Sequence, residues 1–310
     1  MNVLLTGGTG LIGRALTADL VGDGHSVTVL TRSPQNAAPR LPAEVAIHPW
    51  DARSLAGWAH LVAKADAVVN LAGESIAGEN LFAILTRRWT PAVKARIRES
   101  RVRVGELLTQ AIQQADRKPA VFVQASAVGY YGPASDHDLT EDAPPGDDFL
   151  ARLCVDWEGA TAAVEALGIR RVVIRTGLVL ARDGGILPVM LTPVRFFVGG
   201  PLGSGRQAVP WIHIADEVSA IRFLMESEAA HGPYNLAAPN PVTQGEFVQT
   251  AGHVLHRPAF LPAPAFALNL ALGEKATLVL DGQRAVPHRL LEAGFHFQYE
   301  TLDAALRDLL

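Results

Sequence analysis

The chain of 310 residues has a single cysteine, Cys154. One thiol excludes an internal disulfide framework and a thiolate metal cluster, and it suits a reducing compartment. Charge is sparse too. Only 19% of residues are charged, below the usual quarter, which argues against a disordered or coiled-coil chain. The net charge of −4 gives no overall basic field for nucleic acid or an anionic membrane. Long apolar runs are missing as well. The most apolar late stretch, residues 260–272, is broken by Pro262 and Pro264 and is too short to span a bilayer. At the front, MNVLLTGG enters a strand within two residues, with neither a basic nor an apolar segment ahead of it, so a secretory signal is not expected. These absences predict a soluble, cytoplasmic protein acting on a small molecule. Neither nucleic acid nor membrane is expected as a partner, and the state is monomer or homodimer.

What is present is a large apolar fraction, 49%, arranged in a repeating order. Short β-branched runs alternate with longer helical patterns over the first two-thirds, the signature of a parallel sheet covered by helices. Residues 3–5, 27–30, 45–48, 67–71, 121–124 and 171–175 read as six strands. Most are continuous apolar runs, as strands buried on both faces should be. Thr90 followed by Pro91 is an N-cap and first-turn proline, and Ile97, Val104, Leu108 and Ile112 then form a helical stripe to about Gln114. A second helix is predicted from Asp147 or Asp148 to Leu167, stopped by Gly168, with Leu150, Leu153, Cys154, Trp157, Val164 and Leu167 inward. Two domains follow: residues 1–240, including a substrate-side region at 181–210, and a small lobe at 241–310. That lobe is read as closing over the open end of the sheet, where ligands of parallel sheets sit; the alternative is a plain structural extension.

Directly after the first strand stands Thr6-Gly7-Gly8-Thr9-Gly10-Leu11-Ile12-Gly13, leading into a helix. Gly7 permits the tight turn, Gly10 lets the backbone approach a pyrophosphate, and Gly13 permits close helix–strand packing. The helix start presents free N–H groups and the positive end of its dipole. With a strand before, a helix after and a second strand at the right distance, this reads as a dinucleotide site. The second strand ends Thr31-Arg32-Ser33-Pro34, without the acid that would hold a ribose 2′-hydroxyl. Arg32 instead offers a planar donor fork for a 2′-phosphate, so NADP(H) is expected over NAD(H). Asn70-Leu71-Ala72-Gly73 ends the fourth strand with small residues where a ribose and nicotinamide would lie. Arg101 falls on the apolar stripe of its helix, which leaves two readings: an internal ion pair, or a clamp on the cofactor phosphates.

These residues resemble the extended short-chain dehydrogenase/reductase superfamily, and more narrowly the "epimerase family" proteins of bacteria and organelles, which carry a C-terminal domain of unknown function. The resemblance spans nearly the whole chain. It rests on TGGTGLIG, NLAGE at 70–74, the RRW…SR pattern ending in Arg101, SAVGYYG at 126–132, TEDAPPGDDF and RTGLVL at 175–180. It continues through GGPLGSGRQ, WIHIADE and GQRAVPHRLLEAGF. It implies a Rossmann-type doubly wound parallel sheet with a small C-terminal substrate-side lobe, and an NADP site touched by Thr31, Arg32, Leu71, Ala72 and Arg101. It also implies that Val179 faces the nicotinamide through its backbone.

The chain departs from the superfamily at the catalytic pair. Enzymes of this kind use Tyr-x-x-x-Lys, the lysine lowering the tyrosine's pKa for proton exchange. Here the tyrosines are Tyr130, Tyr131, Tyr234 and Tyr299 and the lysines Lys64, Lys94, Lys118 and Lys275, and no lysine follows a tyrosine by four. With Glu158 matched to the glutamate common on that helix, Leu150 and Cys154 occupy the two positions. Ser126, at the end of the fifth strand, with Tyr131 is then the candidate donor pair; a phenol without lysine remains a donor but a poor base, which suits reduction. Asp136, His137 or His213 are other proton sources, although His213 reads rather as structural, before a helix capped by Asp216. Cys154 reads as an inert core thiol, and Arg206 as a substrate-anion contact or a surface arginine. The expected activity is NADP(H)-dependent hydride transfer with a small carbonyl or alcohol. A non-catalytic NADP(H)-binding module is the alternative.

Overall fold

The computed structural model describes all residues except Ala77 and residues 79–87. Seven strands form one sheet: β1 (Asn2–Thr6), β2 (Ser26–Thr31), β3 (Ala46–Pro49), β4 (Ala67–Asn70), β5 (Val121–Ala127), β6 (Arg170–Thr176) and β7 (Gly232–Leu236). Their order is β7-β6-β5-β4-β1-β2-β3, and every neighbouring pair is parallel. This is the Rossmann-type doubly wound sheet. The strand order reverses between β1 and β4, which opens a crevice there at the carboxyl ends.

Both faces are buried, and adjacent residues of one strand feed different cores. Val3 and Leu5 pack with Leu16, Leu20 and Ile221, whereas Leu4 packs with Val104, Leu108 and Ile112. The first layer is built by helices α1 (Leu11–Gly22) and, later in the chain, α5 (Ile214–Glu226); the second by α2 (Pro91–Gln114). At the carboxyl ends the apolar runs turn polar. Thr6, Asn70 and Gln124 stand in register on β1, β4 and β5 and bond in series, Thr6 Oγ1 to Asn70 Oδ1 at 2.6 Å and Asn70 Nδ2 to Gln124 Oε1 at 3.0 Å.

Six strands match the sequence expectation. β7 was not expected, because Gly232-Pro233 disguises it; it lies at the sheet edge, where a proline is tolerated. Helix α2 begins as predicted, with the Thr90 hydroxyl accepting from the Val93 N–H at 3.3 Å. Thr90→Ala is therefore expected to destabilise the fold by about 1 kcal/mol in urea titration. No change would mean that the first turn is held by other contacts.

The helix predicted to run to Leu167 is broken. Helix α3 (Phe149–Gly159) is capped by Asp148 and stops, and a 3-10 turn covers Ala162–Leu167 before Gly168, at φ +76°. The orphaned carbonyls at the break have partners from elsewhere: Arg171 donates to Glu158 O, and Thr109 to Ala160 O.

Beyond β6, helix α4 (Leu187–Arg195) packs with α6 (Gln244–Leu255) and α8 (Leu302–Leu309) around Trp211, Phe247 and Leu306. Helix α7 (Ala265–Leu272) lies between α6 and α8 in sequence. Among the described residues, no helix is long and apolar enough to cross a membrane.

Candidate functional site

β1 delivers the chain to Gly7, which turns at φ +74°. A Cβ on Gly7 would lie 2.5 Å from the Leu71 carbonyl, and one on Gly13 would lie 2.3 Å from Gly7 O. Both positions therefore demand glycine. The turn closes through the Gly10 N–H donating to Gly7 O at 3.0 Å. Gly10 then caps α1 with no side-chain bond, and the first turn carries no acid, so its N–H groups and dipole face the crevice unanswered. Thr9, Leu11 and Ile12 are half-buried around it. Gly185 lies against Leu11, where a Cβ would come within 2.8 Å of the leucine and 3.7 Å of Val179 O. Val179 is thus brought to the start of α1.

At the end of β2, Thr31 is buried and its hydroxyl accepts from the Ser33 N–H at 3.2 Å. Arg32 is exposed and makes no hydrogen bond or ion pair among the described residues. At the end of β4, Leu71 and Ala72 are half-buried and Gly73 is exposed. The Arg101 guanidinium lies beneath this loop, so close that a Cβ on Gly73 would be 3.0 Å from its Cζ. Arg101 donates to Glu74 O at 3.0 Å and to Ile97 O at 3.1 Å, and lies 4.9 Å from the Trp157 ring. Its hydrogen-bond partners are these two carbonyl oxygens and the Ser100 hydroxyl at 3.4 Å rather than a carboxylate, and its Nε has none. Burial pulls its pKa down to about 10. Arg87, in the RRW pattern, lies outside the described residues.

The two candidate catalytic hydroxyls are not hydrogen-bonded to each other; both belong to one chain of hydrogen bonds. Ser126 Oγ donates to Glu158 Oε1 at 2.7 Å. Glu158 pairs with Arg175 through both carboxylate oxygens, at 3.0 and 3.1 Å. Arg175 donates to Tyr131 Oη at 3.1 Å, and the Tyr131 hydroxyl donates to Asn235 Oδ1 at 2.7 Å. Arg175 stands opposite Ser126 in the β5–β6 register and stacks 3.5 Å from the Tyr130 ring centroid. Burial pushes Tyr131 up to about 12. Sequence reasoning missed the roles of Glu158, Arg175 and Asn235, although an arginine ending an apolar strand was a usable signal, since a buried guanidinium needs an acceptor.

Cys154 is buried beside Ser126 and Ala127, and burial pushes its thiol up to about 12, so it is no thiolate. Asp136 and His137, both exposed, pair with each other at 2.7 Å on the strand Ala134–Leu139. His213 Nδ1 accepts from the Ala215 N–H at 3.1 Å and so caps α5. Asp216 is not the cap, as the sequence suggested; it accepts from the Gln298 and Tyr299 N–H groups at 2.7 and 3.0 Å. Its neighbour Glu217 is fully buried, accepts from the Thr176 hydroxyl at 2.8 Å, and has one oxygen without a partner. Arg206 is exposed.

Residues 3–237 match the family described as the NAD dependent epimerase/dehydratase family, and residues 263–309 match a domain of unknown function, DUF1731. The chain is 42% identical, over 100% of its length and 87% of the relative's, to the epimerase family protein SDR39U1 homolog, chloroplastic, of Arabidopsis thaliana. It is 39% identical to the epimerase family protein YfhF of Bacillus subtilis, over 100% of this chain and 98% of that one. A crystal structure of the human epimerase family protein SDR39U1 with NADPH superposes with a TM-score of 0.85 at 36% identity, covering 100% of this chain and 99% of that chain. By sequence along its whole length and by fold, the chain belongs to the NAD dependent epimerase/dehydratase family.

Proposed function

We propose that the chain binds NADP(H) at the glycine turn and transfers hydride between it and a small carbonyl or alcohol. One observation carries this reading: an uncapped helix start behind a glycine cradle, with Arg32 exposed and unpaired beside it. The turn fits a dinucleotide, because it closes on its own backbone too tightly for a Cβ at Gly7 or Gly13, its helix start carries no side-chain cap or first-turn acid, and the Arg101 Nε is still without an acceptor. Gly7, Thr9, Gly10, Leu11, Ile12 and Gly13 would hold the pyrophosphate, and Thr31 and Arg32 the 2′-phosphate. Leu71, Ala72, Gly73, Arg101 and Val179 would hold the ribose and nicotinamide side. The human relative's structure with NADPH supports the choice of nucleotide.

When bound, the nucleotide supplies the hydride; the chain must orient the substrate, exclude water and provide a proton. Ser126 is assigned to donate to the carbonyl oxygen, with Tyr131 supporting it through Arg175 and Glu158. A tyrosine raised to about 12 keeps its proton through the neutral range, so this end of the chain acts as a donor and not as a base. Reduction is favoured over alcohol oxidation. A second reading has its own observation: both hydroxyls are already engaged, by Glu158 and by Asn235, as in a module that binds the nucleotide without turnover.

NADPH oxidation across a panel of small carbonyls separates the two. Ser126→Ala is expected to lower kcat by about 100-fold and Tyr131→Phe by about 10-fold. Turnover that neither substitution slows would refute the assignment. NADPH binding without turnover of any carbonyl would favour the module.

A further inference from the structure

Two strips of chain lie side by side on the substrate-side lobe. Residues 197–203 run along residues 257–265, joined by the Leu261 N–H donating to Gly199 O at 2.9 Å and the Ala263 N–H donating to Pro201 O at 2.9 Å. Their outer edge is apolar and open. Phe196 is 73% exposed, Phe260 72%, and Phe266 and Leu270, one turn apart on α7, are 75% and 79% exposed. Phe197 and Val198 are exposed as well, and Phe197 is held at φ +63°, a conformation rare for an aromatic residue. Isolated exposed apolar residues need no explanation, but a contiguous set of this size marks an interaction surface.

The charge around it identifies the partner. Acidic residues make up 31 of the 310, yet residues 184–215 and 247–273 contain none. The charges in these stretches are all basic or titratable to basic, and those about the apolar edge are Arg195, exposed beside Phe196; Arg257, stacked 4.7 Å from the Phe197 ring; and the exposed His253 and His256. Exposed Arg88 joins the rim by donating to Leu270 O at 3.0 Å. The net charge of −4 conceals this local sign. Protruding phenylalanines ringed by arginines match an interface in which rings enter the acyl boundary and guanidiniums meet headgroup phosphates; the neighbouring carboxylates Glu274 and Asp303 are already paired, with Lys94 and Arg307. A second copy fits less well, since it would bring one basic face against another.

We propose that this face docks the protein peripherally on an anionic lipid bilayer. The test is co-sedimentation of the full chain with phosphatidylcholine vesicles, with and without about 30% phosphatidylglycerol. Anionic vesicles are expected to bind about ten-fold more protein than neutral ones, less so at high salt. Phe260→Asp with Phe266→Asp should lower that binding about ten-fold, and Arg195→Gln with Arg257→Gln should abolish the preference for anionic lipid. All four side chains are exposed, so circular dichroism and the melting temperature should not change. Equal binding to both vesicle types, or binding indifferent to these substitutions, overturns the proposal. So does a lipid-free dimer, seen by sedimentation equilibrium, that the phenylalanine substitutions dissociate, which would assign the face to a second copy.

Discussion

Replacing Arg32 with alanine is expected to raise the dissociation constant for NADPH by about 10- to 100-fold while leaving that for NADH within about two-fold. The argument starts from the end of β2, where no carboxylate is placed to accept from a ribose 2′-hydroxyl, and where a phosphate would find Arg32 free and the Thr31 and Ser33 hydroxyls beside it. A charge-assisted hydrogen bond to a phosphate is worth about 1.5–3 kcal/mol, which sets the size of the loss. NADH has no phosphate there, so it should be nearly indifferent. Fluorescence titration of both nucleotides into both proteins is the measurement. Equal losses for NADPH and NADH would show that Arg32 supports the fold of the turn and does not select the phosphate.

Glu217→Gln should stabilise the protein increasingly as pH rises from about 5 to 9. Glu217 is buried with one oxygen unpartnered, and burial raises its pKa from the ordinary 4.5 to about 8. Between those values the unfolded chain has released the proton that the folded chain retains. Stability contributed by this group therefore falls with rising pH, by about 1.4 kcal/mol per unit, and the full effect approaches roughly 5 kcal/mol above pH 8. Glutamine can still accept from Thr176 and never ionises. The variant should match the parent near pH 5 in urea titration and exceed it by several kcal/mol near pH 9. Taking the difference removes Asp216, which burial also raises, and His213, which burial lowers. Parallel stability curves for the two proteins would mean that the buried carboxyl is solvated or paired.

The parts of the fold written in local pattern were legible from sequence. Continuous apolar runs gave six of the seven strands because both faces of this sheet are buried, and Thr90-Pro91 announced the start of α2. What sequence pattern could not supply depends on partners distant along the chain. β7 is a strand only because β6 offers it an edge, and α3 breaks where Arg171 and Thr109 catch its carbonyls. The same division runs through the site. The glycine turn is local, so Gly7, Gly10 and Gly13 could be given their tasks in advance. The link from Ser126 to Tyr131 passes through Glu158 and Arg175, on α3 and β6, and only the folded chain brings these together. His213 displaced Asp216 as the cap of α5 for a similar reason: Asp216 is claimed by backbone N–H groups more than 80 residues away.

A melting experiment on the unmodified chain tests the central claim most directly. With NADPH at about one hundred times its dissociation constant, binding to the folded state alone adds about 2.7 kcal/mol and should raise the melting temperature by about 3 to 6 °C. NADH at the same concentration should raise it much less. A melting temperature indifferent to both nucleotides would contradict the account.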